Sequence, residues 1–246
     1  MNRYEKNKKL LSKSYNYDQS MEHDACGVGM IAATDGKKSR KIVDYGIEAL
    51  KAIWHRGAVD ADGKSGDGAG IQMEIAPEFF KEKIIATGHD PDVSKRICVG
   101  MVFLPRTDYL EQEKCREIVE SILLEENYSI YGWRQVPINS SVLGKTAEQS
   151  RPEIAQVMFK KNQNLETNDL ERNLFETRKK IEELARKNQL KNFYICSFSS
   201  RSIVYKGMFL AEMLAEFYPD LNNKKLTSRF VIFHQRYSTN TFPSWD

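Results

Sequence analysis

The 246 residues contain no continuous apolar run approaching the roughly eighteen needed for a transmembrane helix, so nothing in them reads as spanning a bilayer. Cysteine is sparse and scattered. Cys26, Cys98, Cys115 and Cys196 form no CxxC pair and no metal-ligand spacing, so no metal site is expected. Cys98 and Cys196 lie in apolar runs and read as small buried core residues, and Cys115 falls in a helical stretch. An excess of one charge is missing too. With 37 Lys and Arg interspersed among 34 Asp and Glu, the net charge is +3, which gives no nucleic-acid footprint and no polybasic membrane patch. The first 25 residues lack the apolar core of a secretory signal, Leu10-Leu11 being their only apolar pair, and carry too many acids for a transit peptide. The expectation is a cytoplasmic protein without disulfides. Internal repeats and low-complexity linkers are absent as well, and the chain reads as one domain from residue 26 onward.

What is present has order from Cys26 onward. "CGVGMIAA" reads as a strand and "TDGKKS" as a turn. Val43, Ile47, Leu50 and Trp54 recur at helical spacing and predict one amphipathic helix through "KIVDYGIEALKAIWHR". "HRGAVDADGKSGDGAGI" reads as a glycine-rich loop. Strands are expected at "IQMEIA", "RICVGMVFLP" and "YSIYGWRQVPI", with a helix at "DYLEQEKCREIVESILLEE". After "EIAQVMFKK", a charged helix over 165–190 places Leu170, Leu174, Ile181 and Leu184 on one stripe. "FYICSFSS" and "SIVYKGMF" read as paired strands, "LAEMLAEFY" as a short helix and "RFVIFHQRYST" as a strand. Strands in antiparallel-compatible groups with helices between the groups favour the α+β class.

Two local patterns bear on chemistry. "GKSGDGAG" has the composition of a phosphate cradle, but a P-loop needs GxxxxGK[ST] between strand and helix, and the order here is helix, loop, strand; nucleotide binding is rejected at this loop. Cys26 sits between Ala25 and Gly27, where a shapeless polar leader meets ordered chain. If the bond before it is cut, the residue gains a free α-amine beside its own thiol. Such an amine has a pKa of roughly 7.7–8.0 and can accept the thiol proton, so one residue supplies nucleophile and base. His23 lies in the leader, His89 in a polar turn, and His55 and His234 read as ordinary structural donors.

"HDACGVGMIA", "ALKAIWHRGAVDADGKSGDGAGI" and "FHQRYSTNTFPSW" together resemble the class II, N-terminal-nucleophile glutamine amidotransferases, and among these the N-terminal domain of glutamate synthase large subunits. The resemblance covers the chain from about residue 22 to its end. It implies a four-layer αββα sandwich of two antiparallel sheets, a pro-segment over 1–25 and an amidotransferase domain over 26–246. Cys26 would attack the side-chain amide of glutamine and release ammonia, and water would then hydrolyse the thioester. Arg236 matches the arginine that clamps the substrate α-carboxylate, a bidentate task suited to a guanidinium. Thr239 matches a neighbouring substrate contact. Arg56 and Gly27 match the support of the nucleophile's loop. The plainer readings are a surface salt bridge for Arg56 and a strand-end cap for Thr239.

For the whole enzyme the resemblance implies FMN, an iron–sulfur cluster and NAD(P)H or ferredoxin, none of them held in these residues. It also implies downstream synthase domains that use 2-oxoglutarate, and a small electron-donating subunit. The alternatives are another class II amidotransferase that feeds a phosphoribosyl or sugar-phosphate acceptor, or a catalytically silent fragment. Family members carry an Asn-Gly pair beyond the "RYST" strand whose donors form the oxyanion hole, and no Asn-Gly occurs here. The expectation is a fragment incomplete at its C-terminal end and nearly inactive alone, since one lost oxyanion donor costs about 10²–10³ in rate.

Overall fold

A computed structural model describes residues 5–6, 9–10, 27–235 and 243–245. The expected pro-segment lies outside the described residues apart from those two pairs, as do Cys26, Arg236 and Thr239; of Arg56 only the backbone is described.

Eight strands and six α-helices are described, with short 3₁₀ turns between them. The strands are β1 (Val28–Ala32), β2 (Ser65–Glu74), β3 (Cys98–Leu104), β4 (Tyr128–Gln135), β5 (Glu153–Lys161), β6 (Tyr194–Ser199), β7 (Ser202–Phe209) and β8 (Phe230–Gln235). The helices are α1 (Arg40–Ala52), α2 (Pro77–Ile85), α3 (Tyr109–Glu125), α4 (Lys145–Gln149), α5 (Thr167–Lys187) and α6 (Leu214–Phe217). Two four-stranded sheets form, in the orders β1-β8-β2-β7 and β4-β5-β3-β6, and each described pairing is antiparallel. The expected α+β sandwich of two antiparallel sheets is what the chain adopts.

Alternation along the central strands divides the core. On β3, Val99, Met101 and Phe103 join the larger apolar cluster with the first sheet, while Cys98, Val102 and Leu104 join a second cluster beneath α3 and α5. β5 repeats this in register, with Ile154 and Met158 in the first cluster and Ala155, Val157 and Phe159 in the second. Strands covered on both faces read as unbroken apolar runs, as "CVGMVFL" does. The stripe Leu170, Leu174 and Ile181 of α5 is buried against that second face, and Leu184 packs at its margin. α3 opens with an N-cap: the Asp108 carboxylate accepts the Glu111 N–H at 2.9 Å. On the first sheet, α1 lies over β8 and buries Ile42, Val43, Ile47 and Leu50.

Four expectations need correction. Trp54 does not extend the α1 stripe. The helix stops at Ala52, a 3₁₀ turn takes Trp54–Arg56, and the indole is 61% exposed. The glycine-rich "loop" is half strand: β2 already starts at Ser65, bulged between Ser65 and Ala69, and only the segment 57–64 is a loop. Glycine carries little strand propensity, and packing against β7 and β8 overrides it here. β6 and β7 do not pair with each other. β6 joins β3 in the second sheet and β7 joins β2 in the first, so Ser200 and Arg201 carry the chain between layers. The two strands meet face to face through side chains, with Ser197 Oγ accepting the Val204 N–H at 3.2 Å. "LAEMLAEFY" divides into a 3₁₀ turn at Ala211–Met213 and α6. Helix α2, opened by Pro77 at its first turn, had no counterpart in the periodicity reading.

The sheets are offset. On the side of the first sheet that meets β6, the register row Met30–Ile232–Gln72–Val204 is covered near Val204 and open at Met30, which is 64% exposed.

Candidate active site

Three stretches distant in sequence converge at one end of the first sheet: the start of β1, the turn and loop at 54–64, and the end of β8 with Trp245. The end of β8 is tied to the start of β1 by the Gln235 N–H, which donates to the Gly27 carbonyl at 2.5 Å. Gly27 cannot be larger there, because a Cβ would fall 2.0 Å from the Gln235 carbonyl oxygen. The turn carrying Arg56 closes with the Gly57 N–H donating to the Trp54 carbonyl at 3.1 Å, and Gly57 lies against the Gln235 side chain. The backbone of Arg56, the following Gly57 and Gly27 are therefore brought together around Gln235. Cys26 adjoins Gly27 in sequence, and Arg236 adjoins Gln235. His55 is exposed on the turn, and the His89 Nδ1 is 3.3 Å from the Thr87 hydroxyl.

The loop is fixed by Asp62. Its carboxylate accepts the N–H groups of Lys64 (3.0 Å), Ser65 (2.7 Å) and Thr146 (3.2 Å), and the Ser65 hydroxyl at 2.6 Å. The Ser65 hydroxyl oxygen then accepts the Ala147 N–H at 3.1 Å. The serine hydroxyl and these N–H donors hold the Asp62 carboxyl well below the usual carboxylate range. Two amides of the glycine-rich segment, those of Lys64 and Ser65, are thus occupied by an aspartate. Trp245, buried, donates its indole N–H to the Ala147 carbonyl at 3.1 Å, so "PSW" and the glycine loop rest on the same short helix α4.

A cavity of about 430 Å³ opens beside β1, within the range of roughly 300–1,000 Å³ usual for small-molecule sites. Val28, Ile232 and Val204 give it an apolar wall, and Lys206, Tyr194 and His234 give it polar groups. The Lys206 ammonium, on a largely buried residue, donates to the Tyr194 hydroxyl at 3.1 Å. Burial, with Lys206 nearby, depresses the His234 pKa, so the ring is neutral near pH 7. The sequence reading did not single out Lys206 or Tyr194, and it treated His234 as structural. Alternation within "SIVYKGMF" was the one available signal, because it puts a lysine on the face opposite the buried Tyr205. A larger cleft of about 870 Å³ lies at the other end of the sheet, around Glu74, Arg229 and Lys81, and includes no residue of the three motif stretches.

A family model for the class II glutamine amidotransferases matches residues 26–246. The chain belongs to that family. It is 53% identical over 240 residues to the glutamate synthase [NADPH] large chain of Azospirillum brasilense, an alignment that takes 97% of this chain and 16% of that one. It is 44% identical to the ferredoxin-dependent glutamate synthase of Pyropia yezoensis and 41% identical to the chloroplastic one of Spinacia oleracea. In both cases 91% of this chain matches 14% of the relative, so the chain spans about one-sixth to one-seventh of the length of these relatives.

The described cysteines do not fit an iron–sulfur cluster, which needs several thiolates gathered at one place. Cys98, Cys115 and Cys196 are free thiols in separate places, and among the described residues no group of three or more His, Cys, Asp or Glu can hold a metal. Burial pushes the thiols of Cys115 and Cys196 up to about 12 and that of Cys98 higher still. Among the described residues no helix is long and apolar enough to cross a membrane.

Proposed function

We propose that this chain is the glutaminase domain of a cytoplasmic glutamate synthase, hydrolysing the side-chain amide of glutamine at Cys26. The observation that carries the reading is the class II match over 26–246, joined to relatives named glutamate synthase at 41–53% identity. Removal of the pro-segment 1–25 frees the α-amine of Cys26, which takes the thiol proton. The thiolate adds to the amide carbon, and the ammonium returns a proton to the departing nitrogen. Ammonia leaves and a γ-glutamyl thioester remains. Water, deprotonated by the same amine, cleaves the thioester and releases glutamate. Arg236 clamps the α-carboxylate with its guanidinium fork, and Thr239 contacts the substrate beside it. Arg56 and Gly27 hold the nucleophile's surroundings; the packing of Gly27 and Gly57 around Gln235 supports this.

In the longer polypeptide the ammonia passes to downstream synthase domains and is used on 2-oxoglutarate. FMN, an iron–sulfur cluster and NAD(P)H or ferredoxin serve those other regions, with a small electron-donating subunit as partner. Relatives named for NADPH and for ferredoxin both match these residues, at 53% and 44% identity, which supports a choice of donor made elsewhere in the polypeptide.

The test is the intact mass and N-terminal sequence of the full-length gene product, followed by labelling with a diazoketone analogue of glutamine. A mature chain that starts at Cys26 and is labelled there, with Cys98 and Cys115 untouched, supports the proposal. A mature chain that retains residues 1–25 would deny Cys26 its base and remove the assignment.

A further inference from the structure

Gln235 ends β8 and is 1% exposed, yet its side-chain Nε2 and Oε1 are both sealed from solvent without a hydrogen-bond partner among the described residues. Such a carboxamide gives up its bonds to water and receives none in exchange, so an apolar side chain of the same length would suit this core better. Buried unsatisfied amides are rare enough in folded proteins that each calls for a cause. The surroundings supply one. The backbone N–H of Gln235 holds Gly27, and its side-chain amide packs against Gly57, where a Cβ would come within 1.9 Å of Nε2. One residue thus touches the neighbours in sequence of both Cys26 and Arg56.

We propose that Gln235 is a positioning residue for amide hydrolysis. Its carboxamide braces the Arg56–Gly57 turn against the start of β1, and its two free polar atoms engage the turn backbone when glutamine fills the site. It acts through Gly57 and Gly27 and touches no reacting atom. The inference rests on the glutaminase reading above.

The test uses the full-length enzyme. Gln235→Met keeps the length and removes the polar atoms. Its melting temperature should equal or exceed that of the wild type, while kcat for glutamine hydrolysis falls by about tenfold or more and KM moves much less. Gln235→Glu supplies the second readout. Desolvation raises the pKa of a buried carboxyl, and its neutral form keeps one donor and one acceptor, so its activity relative to wild type should climb as the pH is lowered from about 8 to about 6. A Met variant with wild-type kcat would overturn the inference. So would one that melts lower, because the amide would then have had partners, or a Glu variant whose ratio stays flat with pH. If Gln235→Met does not fold, the Glu profile decides. Loss of hydrolysis in Cys26→Ala with full activity in Gln235→Met would sink this inference alone, whereas hydrolysis surviving in Cys26→Ala would sink the glutaminase reading beneath it.

Discussion

Gly27→Ala adds one methyl group at the tightest backbone contact of the candidate site. The new Cβ would stand 2.0 Å from the Gln235 carbonyl oxygen and 3.1 Å from its carbon. Ordinary non-bonded separations are about 3.5–4.0 Å between carbons and a few tenths less to oxygen, so β1 and β8 must part by more than 1 Å at this end. The obstacle is main chain and cannot rotate away. Separation breaks the Gln235–Gly27 hydrogen bond, worth about 1 kcal/mol net, and strains a packed region at roughly 1–3 kcal/mol more. The expected local destabilisation is therefore about 2–4 kcal/mol. Because the displaced residue adjoins Cys26, the proposed nucleophile, a 1 Å misplacement should slow the chemistry by about 10². Amide hydrogen exchange along β1 and β8 reads the first quantity in the full-length enzyme, and the rate of Cys26 alkylation by a glutamine analogue reads the second. Gly36→Ala is the control: its φ of +68° makes alanine costly, by about 1 kcal/mol, but nothing lies within 4 Å of the new methyl and the site is remote. Wild-type alkylation and wild-type protection in Gly27→Ala would refute the reasoning.

Two further outcomes are expected. Arg134 grips Asp220 through two bonds of 2.9 and 3.0 Å in a nearly closed setting, with Tyr205 and Gln156 around them. Asp220→Ala should cost about 3–5 kcal/mol in denaturant unfolding, because a buried guanidinium loses its counter-charge, whereas the paired change Arg134→Met with Asp220→Leu should cost far less. At the other end of the sheet, burial raises the Glu74 pKa, but the Arg229 side chain, the Arg229 N–H and Lys38 outweigh it and leave the carboxyl below its usual value. A folded-state pKa below the unfolded one gives stability that is present above about pH 4.3 and lost as the pH falls through the folded value. Unfolding midpoints of Glu74→Gln and wild type should thus differ at pH 7 and converge in acid; a constant difference would refute this.

Legibility in the sequence followed the number of covered faces. β3 and α5 were clear because burial imposes a period, an unbroken apolar run in one and a leucine stripe in the other. The partition of strands between sheets was hidden, since β6 and β7 have hairpin spacing and only the third dimension separates them. Trp54 misled because α1 stops at Ala52 and a 3₁₀ turn of different period follows, in which the indole is exposed. The candidate site was legible as motif and not as geometry. Nothing in local composition marks Gln235 as the residue that Gly27 and Gly57 share, or Lys206 and Tyr194 as polar lining of the nearby cavity.

The glycines explain why motif and geometry came apart. A Cβ at Gly27, Gly29, Gly46, Gly57 or Gly70 would meet, respectively, the Gln235 carbonyl at 2.0 Å, the Phe233 ring at 2.4 Å, the Val231 side chain at 2.4 Å, the Gln235 amide at 1.9 Å or the His234 ring at 2.4 Å. The five positions lie just before or within β1, in α1, in the Arg56 turn and in β2, and the nearest obstructing group in each case belongs to β8, with Lys206 of β7 also 2.9 Å from a Cβ at Gly70. Read along the sequence, Gly57 and Gly70 look like flexible loop, yet Gly70, like Gly29 and Gly46, is inside a regular element with an ordinary backbone angle. Their shared property is missing volume. They form a mould around β8, closed by its neighbours in the sheet on two sides and by α1 above. A strand held that closely can neither slide nor tilt, which fixes the position of Gln235 at its end. Within the dense stretch 57–70 two causes are therefore mixed: Gly57 and Gly70 make room for β8, a Cβ at Gly66 would meet Phe209 and Leu210 at 3.0 Å, and Gly63 and Gly68 take φ of +72° and +116°.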